Sequence, residues 1–438
     1  MNGGHELRNI TEHPPYPSTN WTLHTTTVGE RAQKLRSLIR LLSESAEVVI
    51  KEWEKKEQVA VPHDLGRVFV GACGMGMDLV QDPTQRLSVL AASFFDSRAL
   101  RIAAEARIAD ILDGVDPREG IFIDVIAARV GCSAPQLTPV LRCLCSIHIF
   151  DEVKVDHYAN NAASRVMAHN EASRSWILVQ NNEAFATADK LPDVLLDAKQ
   201  NSAWQEAYGS SSNFWDWLDE KIPGHDGALT PRPERAVWAT GMWGYGLEKF
   251  KAFSIPYDYP WATLGSSTIV DVGAGTRDVG LTLTRQFPDL RFVVQDRPLV
   301  VQQAEEVWAR EVPEALTSGR LRLMAHDFFE EQPVKSAEVY VMRHILNEPK
   351  VVLLNMDIVM QSTTGSAFLK AAPSPLPPNY GIAHSQANHQ DPYMYAMFNG
   401  AERTIEHFSA LAARAGLKIA KVWECRGWTS ITEMRRAD

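Results

Sequence analysis

The stretch Thr268–Gly280, TIVDVGAGTRDVG, decides the fold of the carboxyl half of the chain. Its first residues are apolar and β-branched, as in a buried strand, and Gly273 and Gly275 follow directly. Glycine lets a ligand approach the main chain closely, and the start of a helix attracts negative charge. The stretch therefore predicts a strand, a glycine turn and a helix that bind a nucleotide-like ligand.

Strands and helices alternate on the carboxyl side of this motif. We expect a helix at LVVQQAEEVWARE, another over about 350–361 and a third over about 402–415. The predicted strands are RFVVQD, LRLMAHD, AEVYVMRHIL, SAFLKAA, LKIAKVWEC and WTSITEMR. This alternation predicts an α/β fold with a parallel, doubly wound sheet.

Polar residues at the ends of two of these strands suggest a nucleoside ligand. Asp296 ends the strand after the glycine turn, where a carboxylate can accept both ribose hydroxyls. Asp327 and Phe328 follow the next strand, where they would meet an adenine amino group and stack on its ring. The alternative is that Asp296 and Asp327 are ordinary loop carboxylates.

Composition and charge exclude several classes of function. The chain has 438 residues, 45% hydrophobic and 22% charged, as in a globular protein of two or three domains. A net charge of -10 argues against nucleic acid as a partner, because phosphate binding needs clustered Lys and Arg. It also argues against binding to an anionic membrane. The start of the chain lacks a signal sequence and no apolar run spans a bilayer, so we expect a cytoplasmic protein.

The five cysteines are not spaced like metal ligands or a disulfide framework, so we expect reduced thiols and no metal.

The amino-terminal half is predicted to be mainly helical. Residues 1–25 are expected to be disordered or extended, and a long amphipathic helix starts at Thr27, to pack on its own domain or on a partner chain. Ile123–Val153 predicts a helix, a turn at Gly131, a second helix and a β-wing. Arg142 is the only basic residue of the second helix, so packing or dimerisation is favoured over DNA reading.

Aromatic residues are dense between about residues 170 and 262. At helical spacing they form either a core or the wall of a pocket for a flat, apolar ligand, and the pattern leaves both open.

From about residue 30 onward the chain resembles the fungal O-methyltransferases of class I, the S-adenosylmethionine-dependent, plant-type family. The residues that carry the resemblance are VDVGAGTRDVGLTL, FPDLRFVVQDRP, HDFFEEQPVKSAEVYVMRHIL, NYG and FNGAERTIEHFSALAARAGLKIAKVWE. It implies a helical winged-helix dimerisation domain at 26–175, a linker and substrate-pocket segment at 176–262 and a Rossmann-like domain at 263–438, whose parallel sheet includes an antiparallel carboxyl-terminal strand. It also implies a homodimer, bound S-adenosylmethionine and a small polyketide- or alkaloid-like substrate.

The resemblance also implies the site residues. Those expected to contact the cofactor are Asp271, Gly273, Gly275, Arg277, Asp296, Asp327, Phe328 and Arg343. Those expected to line the substrate pocket are Trp238, Met242, Trp243, Met394, Phe398 and Asn399. Arg277 departs from the glycine-only turn of the family, and its cation would either hold the cofactor carboxylate or crowd it.

A second departure concerns the catalytic base. The family follows RHIL with a general-base histidine, and this chain has Asn347 there, which can hydrogen-bond but cannot take a proton near neutral pH. His344 is expected to be structural, whereas His384 and His389 are further proton-transfer candidates. Of the two acids that flank the family base, Glu402 is present; the other is expected in FLKAAP, which has no acid.

Three functions remain open on this basis. The chain resembles in particular a branch of this fungal family that has given up methyl transfer, the O-methyltransferase-like pericyclases. The favoured function is therefore a repurposed pericyclase, which dehydrates an alcohol of a polyketide or pyridone alkaloid intermediate to a quinone methide and steers its Diels–Alder, hetero-Diels–Alder or Alder-ene closure, with Asn347 and Glu402 as hydrogen-bonding groups. The first alternative is an active O-methyltransferase on a phenolic or enolic metabolite. The second is a non-catalytic binding subunit.

Overall fold

A computed structural model describes residues 27–55, 63–197, 201–250, 254–275, 279–335, 337–343, 352–425 and 429–437. No helix within these ranges is both long and apolar enough to cross a membrane.

Two long helices, α1 (Val28–Lys55) and α2 (His63–Val80), form the first described unit. The predicted start at Thr27 is confirmed: Thr27 and Glu30 cap α1 reciprocally, since the Thr27 hydroxyl accepts from the Glu30 N–H and the Glu30 carboxylate accepts from the Thr27 N–H. Leu38 is fully buried in a cluster with Ala72 of α2 and with Tyr380 from the carboxyl half. The helix therefore packs on its own chain.

The next unit has the helix, turn, helix and hairpin order that the sequence predicts. Its elements are α3 (Pro83–Ala92), α4 (Phe94–Glu105), α5 (Ile108–Ile111), β1 (Ile121–Phe122), α6 (Ile123–Val130), α7 (Ala134–Ser146), β2 (Phe150–Lys154) and β3 (His157–Asn160). Gly131 ends α6 with a φ of 84°, a backbone conformation that glycine adopts without strain. The three strands form an antiparallel sheet in the order β1-β3-β2.

A layer of helices follows. Its elements are α8 (Glu171–Asn181), α9 (Glu183–Ala188), α10 (Leu191–Leu196), α11 (Ala203–Tyr208), α12 (Phe214–Asp219), the hairpin β4 (Lys221–Pro223) and β5 (Leu229–Pro231), α13 (Pro233–Phe250) and α14 (Ser254–Asp258). Helices α8 and α13 pack along each other, and Gly241 makes their approach possible, because a Cβ there would lie 3.0 Å from the backbone of Ser175.

The carboxyl half is a layered α/β unit. Its elements are β6 (Thr268–Val272), α15 (Val279–Gln286), β7 (Arg291–Asp296), α16 (Pro298–Glu311), α17 (Pro313–Thr317), β8 (Leu321–Ala325), β9 (Val339–Arg343), β10 (Val352–Asp357), β11 (Val359–Met360), α18 (Ser385–Phe398), β12 (Arg403–Thr404), α19 (Ile405–Arg414), β13 (Leu417–Glu424) and β14 (Ser430–Arg436). Seven strands form one sheet in the order β13-β14-β10-β9-β6-β7-β8. Strands β6 to β10 run parallel, and β14 is antiparallel to both of its neighbours. The predicted fold class is confirmed.

Two predicted elements are wrong. The helix expected over 350–361 is in fact the strand β10, and the strand expected at SAFLKAA, residues 366–372, is absent, because these residues have no strand pairing. A parallel strand buried on both faces reads as a continuous apolar run, which periodicity alone does not separate from a buried helix.

The correction exposes a short connection. Strands β9 and β10 are adjacent and parallel, and residues 344–351 are all that joins them. A parallel crossover usually takes a dozen or more residues with a helix.

Candidate cofactor and substrate site

The carboxyl ends of β6, β7, β8 and β9 meet at one edge of the sheet, because these strands are parallel neighbours. This edge brings together the predicted cofactor residues that the structure describes. The Gly275 N–H donates to the Asp296 carboxylate at 2.8 Å, so the glycine turn and the end of β7 are in direct contact. Gly273 and Gly275 both have a positive φ, 66° and 65°. Ligands bind α/β sheets in this kind of crevice.

Asp296 has acceptor capacity to spare. One of its oxygens accepts from the Gly275 N–H and the other from the Arg297 N–H. A carboxylate has about four lone-pair sites, so sites remain for two ribose hydroxyls. Burial raises the pKa of Asp296, and these two N–H groups and the Arg297 charge act against that shift. The residues fit a nucleoside cofactor.

Asp271 lies where α15 packs against β6, and its predicted contact with the cofactor stays a prediction. It is 7% exposed on β6, and a Cβ added to Gly280 would lie 3.0 Å from its carboxylate. Gly280 therefore lets α15 approach β6, a role that the sequence analysis missed although this glycine stands in the quoted motif. Helix–strand packing is a known use of the third glycine in such fingerprints.

Asp327 and Phe328 follow β8 at the same edge. The Asp327 carboxylate is exposed and accepts from the Phe329 N–H at 3.0 Å. Phe328 is half-buried, with its ring centroid 4.7 Å from that of Phe329. Both are placed to reach a ligand in the crevice.

Several predicted residues lie outside the described part of the chain. They are Arg277, His344 and Asn347, together with the side chains of Trp243 and Arg343. Their predicted roles stay predictions.

Two buried acids lie beyond the end of β9. Strand β11 pairs in parallel with β12, with Val359 opposite Arg403; Asp357 precedes β11 by two residues and Glu402 precedes β12 by one. Asp357 is 7% exposed and Glu402 is 9% exposed. The sequence analysis found no acid to accompany Glu402, because it placed the strand at 366–372. With β10 assigned correctly, Asp357 at its carboxyl end is a buried acid that the sequence analysis did not consider.

Two of the predicted substrate residues, Trp238 and Phe398, belong to a helical cluster, which we call the aromatic cluster and define by Trp204, Phe214, Trp217, Trp238 and Phe398. Trp238 is 3% exposed, and its ring centroid lies 4.5 Å from that of Phe214 and 6.4 Å from that of Phe398. At the rim, Trp215 stacks on Phe398 with an angle of 11° between the rings. The structure thus brings Trp238 and Phe398 together.

The other three substrate candidates are at the margin of this cluster. Met242 lies on α13 and is partly exposed, and Met394 is half-buried on α18. Asn399 is exposed and ends α18 with a φ of 52°, a left-handed position that asparagine tolerates. Its local role is to cap a helix.

The two histidine candidates are not equivalent. His384 is 6% exposed, and its Nε2 accepts from the Gln361 N–H at 3.5 Å. Burial lowers its pKa to about 4, and the positive charge of Arg67 adds to this. A neutral histidine packed beside α2 is a structural acceptor rather than a proton carrier near neutral pH. His389 is exposed on α18.

A metal site has no support in the described ranges, where no three His, Cys, Asp or Glu side chains come together as ligands.

Comparisons with known proteins match both halves of the chain. The model of the O-methyltransferase domain matches residues 261–418, and that of the O-methyltransferase dimerisation domain matches residues 89–170. O-methyltransferase cicE of Emericella nidulans is 35% identical, covering 92% of this chain and 89% of the relative. O-methyltransferase gedA of Aspergillus terreus is 34% identical, covering 93% and 97%.

Among solved structures, OxaC in complex with SAH and oxaline has a TM-score of 0.68 at 17% identity, covering 93% of this chain and all of that one. LepI in complex with SAM has a TM-score of 0.65 at 16% identity, with the same coverage. These likenesses support the fold.

The alignment with cicE spans 468 positions, more than the 438 residues of this chain, so that relative has segments without a counterpart here. The chain belongs to the O-methyltransferase family, with the dimerisation domain and the catalytic domain of its fungal members.

Proposed function

We propose that the protein transfers a methyl group from S-adenosylmethionine to a hydroxyl of a flat phenolic or enolic metabolite. The observation that carries this proposal is the two buried acids Asp357, at the end of β10, and Glu402, directly before β12, which lead into the paired strands β11 and β12. Strand β10, which ends at Asp357, pairs with β9, and β9 leads to Asn347, the position of the family's general base. The sequence analysis found only one such acid, Glu402, and Asp357 is proposed as the second.

The residues of this chain have distinct roles in the proposal. Asp296 accepts from the ribose hydroxyls, and the open main chain at Gly273 and Gly275 faces the same ligand. When bound, the cofactor supplies an electrophilic methyl group. Asp357 and Glu402 hold and orient the hydroxyl, and such positioning contributes a large part of the rate of a two-substrate reaction. The aromatic cluster holds the flat rings and keeps water away.

Removing the hydroxyl proton is the remaining requirement. A phenol has a pKa of about 10, and a positioned base contributes roughly 10²–10⁴-fold. We therefore propose that either the substrate hydroxyl is more acidic than a simple phenol or a base other than the family's histidine removes its proton.

The protein is further proposed to act as a homodimer through the winged-helix unit. Helix α3 buries none of its residues, and Leu87 and Leu90 on it are exposed. Phe94 and Phe95 extend this apolar surface into α4. Such a patch is unusual on a monomer, and all of it except Leu87 lies within the segment matched by the dimerisation model. The domain boundaries and the cytoplasmic location given above stay predictions.

A specific observation favours a second candidate, the pericyclase. Residue 347 is Asn, and the short connection 344–351 leaves little room for the usual crossover. A pericyclic closure needs a shaped, dry pocket and a few hydrogen-bond donors rather than a strong base. In that case Asn347 and Glu402 would polarise the substrate.

Deleting the gene in the source organism separates the candidates. A methyltransferase predicts the accumulation of a compound one CH₂ lighter than the lost product. A dehydrating pericyclase predicts a compound one water heavier. The purified protein is then incubated with the accumulated compound and methyl-labelled S-adenosylmethionine: label in the product supports methyl transfer, cyclisation without label supports the pericyclase, and no turnover supports a binding subunit.

A further inference from the structure

A buried carboxyl group lies next to the aromatic cluster and belongs to none of the motifs of the chain. Glu183 begins α9, which packs against α8, α11 and α18, and the side chain is 5% exposed. A carboxylate in apolar surroundings is costly unless it is paired, so its presence needs a physical reason.

Glu183 is not balanced by the nearest cations. Arg98 on α4 donates to the backbone carbonyl and the side chain of Asn181, and its guanidinium stacks on Phe185 at 3.6 Å from the ring centroid. Arg101 acts on Glu183 only as a weak opposing charge. In the described ranges, Oε2 of Glu183 has no hydrogen-bond partner.

A second carboxyl group faces the same region. Glu234 lies one turn before Trp238 on α13, and residues four apart share a helix face. Its Oε2 is also buried and unpartnered among described residues. Burial, and next to it the charge of Glu234, raise the pKa of Glu183 to about 7. Burial and the same two carboxylates raise the pKa of Tyr208 on α11 to about 12.

Donors in the cluster are unsatisfied as well. The Nε1 groups of Trp204 and Trp238 are buried without an acceptor in the described part of the chain. Indole N–H groups only donate, and carboxylate oxygens only accept. Two buried carboxylate oxygens and two buried indole N–H groups on neighbouring helices are therefore free among the described residues to hydrogen-bond a polar group of a ligand.

We propose that Glu183, supported by Glu234, is a specificity residue that binds a hydroxyl of a neutral, flat aromatic substrate held by the aromatic cluster. This rests on the proposed function and deepens it. Trp204 stacks on Tyr208 with ring centroids 4.1 Å apart, and a flat substrate would pack on such an aromatic face in the same way. The paired carboxyls accept from a phenol or enol and repel an aromatic acid.

The helices that pack around Glu183 carry other titratable groups. Tyr393 on α18 has its pKa raised by burial and by Glu183. The others are Glu171 and Arg174, which pair with each other on α8, Glu206, which accepts from Asn201, and His389 and Asp391 on α18.

The test is calorimetric binding of three probes to the full chain: 2-naphthol, 2-methoxynaphthalene and 3-hydroxy-2-naphthoic acid. A hydrogen bond from a ligand to a charged side chain raises the binding affinity by roughly 10–100-fold. We expect wild type to prefer 2-naphthol over its methyl ether by about this factor at about pH 8, and less at about pH 6, where Glu183 is protonated. The naphthoic acid should bind weakly.

Glu183→Gln should lose both the preference and its pH dependence while still binding the methyl ether, a result that a merely structural role does not produce. Glu234→Gln should move the pH dependence to lower pH. The control Glu305→Gln, on the exposed face of α16, should behave like wild type. The proposal is overturned if wild type binds neither neutral probe, if it does not distinguish them, or if Glu183→Gln keeps the pH-dependent preference. Binding does not require turnover, so a subsite confirmed in a protein without methyl transfer would refute the proposed function alone.

Discussion

Replacing Glu183 with glutamine should make the protein more stable at neutral and basic pH. The pKa of this carboxyl is about 7 in the folded protein, against 4.5 as its ordinary value. Below pH 4.5 the Glu183 carboxyl is protonated in both the folded and the unfolded chain. Between these two values only the unfolded chain releases the proton, so folding stability falls as the pH rises and the loss is complete above the folded pKa.

The size of this loss follows from the difference between the two pKa values. At 1.36 kcal/mol per unit, wild type loses about 3 kcal/mol from Glu183 across this window. The glutamine amide that replaces the carboxyl has nearly the same shape and does not titrate. The difference in the free energy of unfolding between variant and wild type should therefore move by about 3 kcal/mol in favour of the variant between about pH 4.5 and about pH 8.

Urea titrations followed by tryptophan fluorescence measure this difference directly, because Trp204, Trp217 and Trp238 lie in the cluster beside Glu183. Glu305→Gln serves as the matched control, since it makes the same chemical change at an exposed position. A difference between Glu183→Gln and wild type that stays constant with pH would refute the reasoning, as would an equal pH effect in the control.

Three further predictions follow from the described contacts. Gly71→Ala should destabilise the protein by about 1–3 kcal/mol in urea titrations, because the new Cβ would lie 2.5 Å from the Tyr380 carbonyl oxygen; Gly76→Ala on the same helix meets nothing within 4 Å and should not destabilise. Leu90→Asp should convert a dimer into a folded monomer by size-exclusion chromatography with light scattering, since this side chain is 66% exposed in the single chain; an unchanged mass would place the interface elsewhere. Asp296→Asn should weaken S-adenosylmethionine binding by roughly 10–100-fold in calorimetry, through lost charge-assisted hydrogen bonds to the ribose; unchanged affinity would remove Asp296 from the site.

The sequence predicts the glycine-turn region well because local and long-range signals agree there. The strand at Thr268–Val272, the turn and the next strand appear as expected. The prediction for 350–361 fails because β10 lies between two strands and even its polar residues Asn355 and Asp357 are buried, so its sequence does not alternate between apolar and polar positions. Only the partners of a strand, which are distant in sequence, identify it.

The sequence predicts the position of a candidate site residue where a local motif determines it. It does not do so where the packing of distant segments determines it. Asp296 lies against the glycine turn as expected, whereas Asp357 was missed because its strand was placed wrongly. His384 was offered as a proton carrier, but its burial against α2 depends on the fold of the amino-terminal helices. Glu183 carries no local signal, since its surroundings come from helices spread over more than 200 residues.

The position of β14 has a consequence for synthesis on the ribosome. Residues 430–436 form an interior strand between β10 and β13, although they are translated after every other described strand of this sheet. At roughly 5–20 residues per second, β10 waits several seconds after its own translation before its neighbour emerges. During that interval an apolar edge is open to other nascent chains, so a premature stop just before Ser430 should yield aggregate rather than a slightly shorter enzyme.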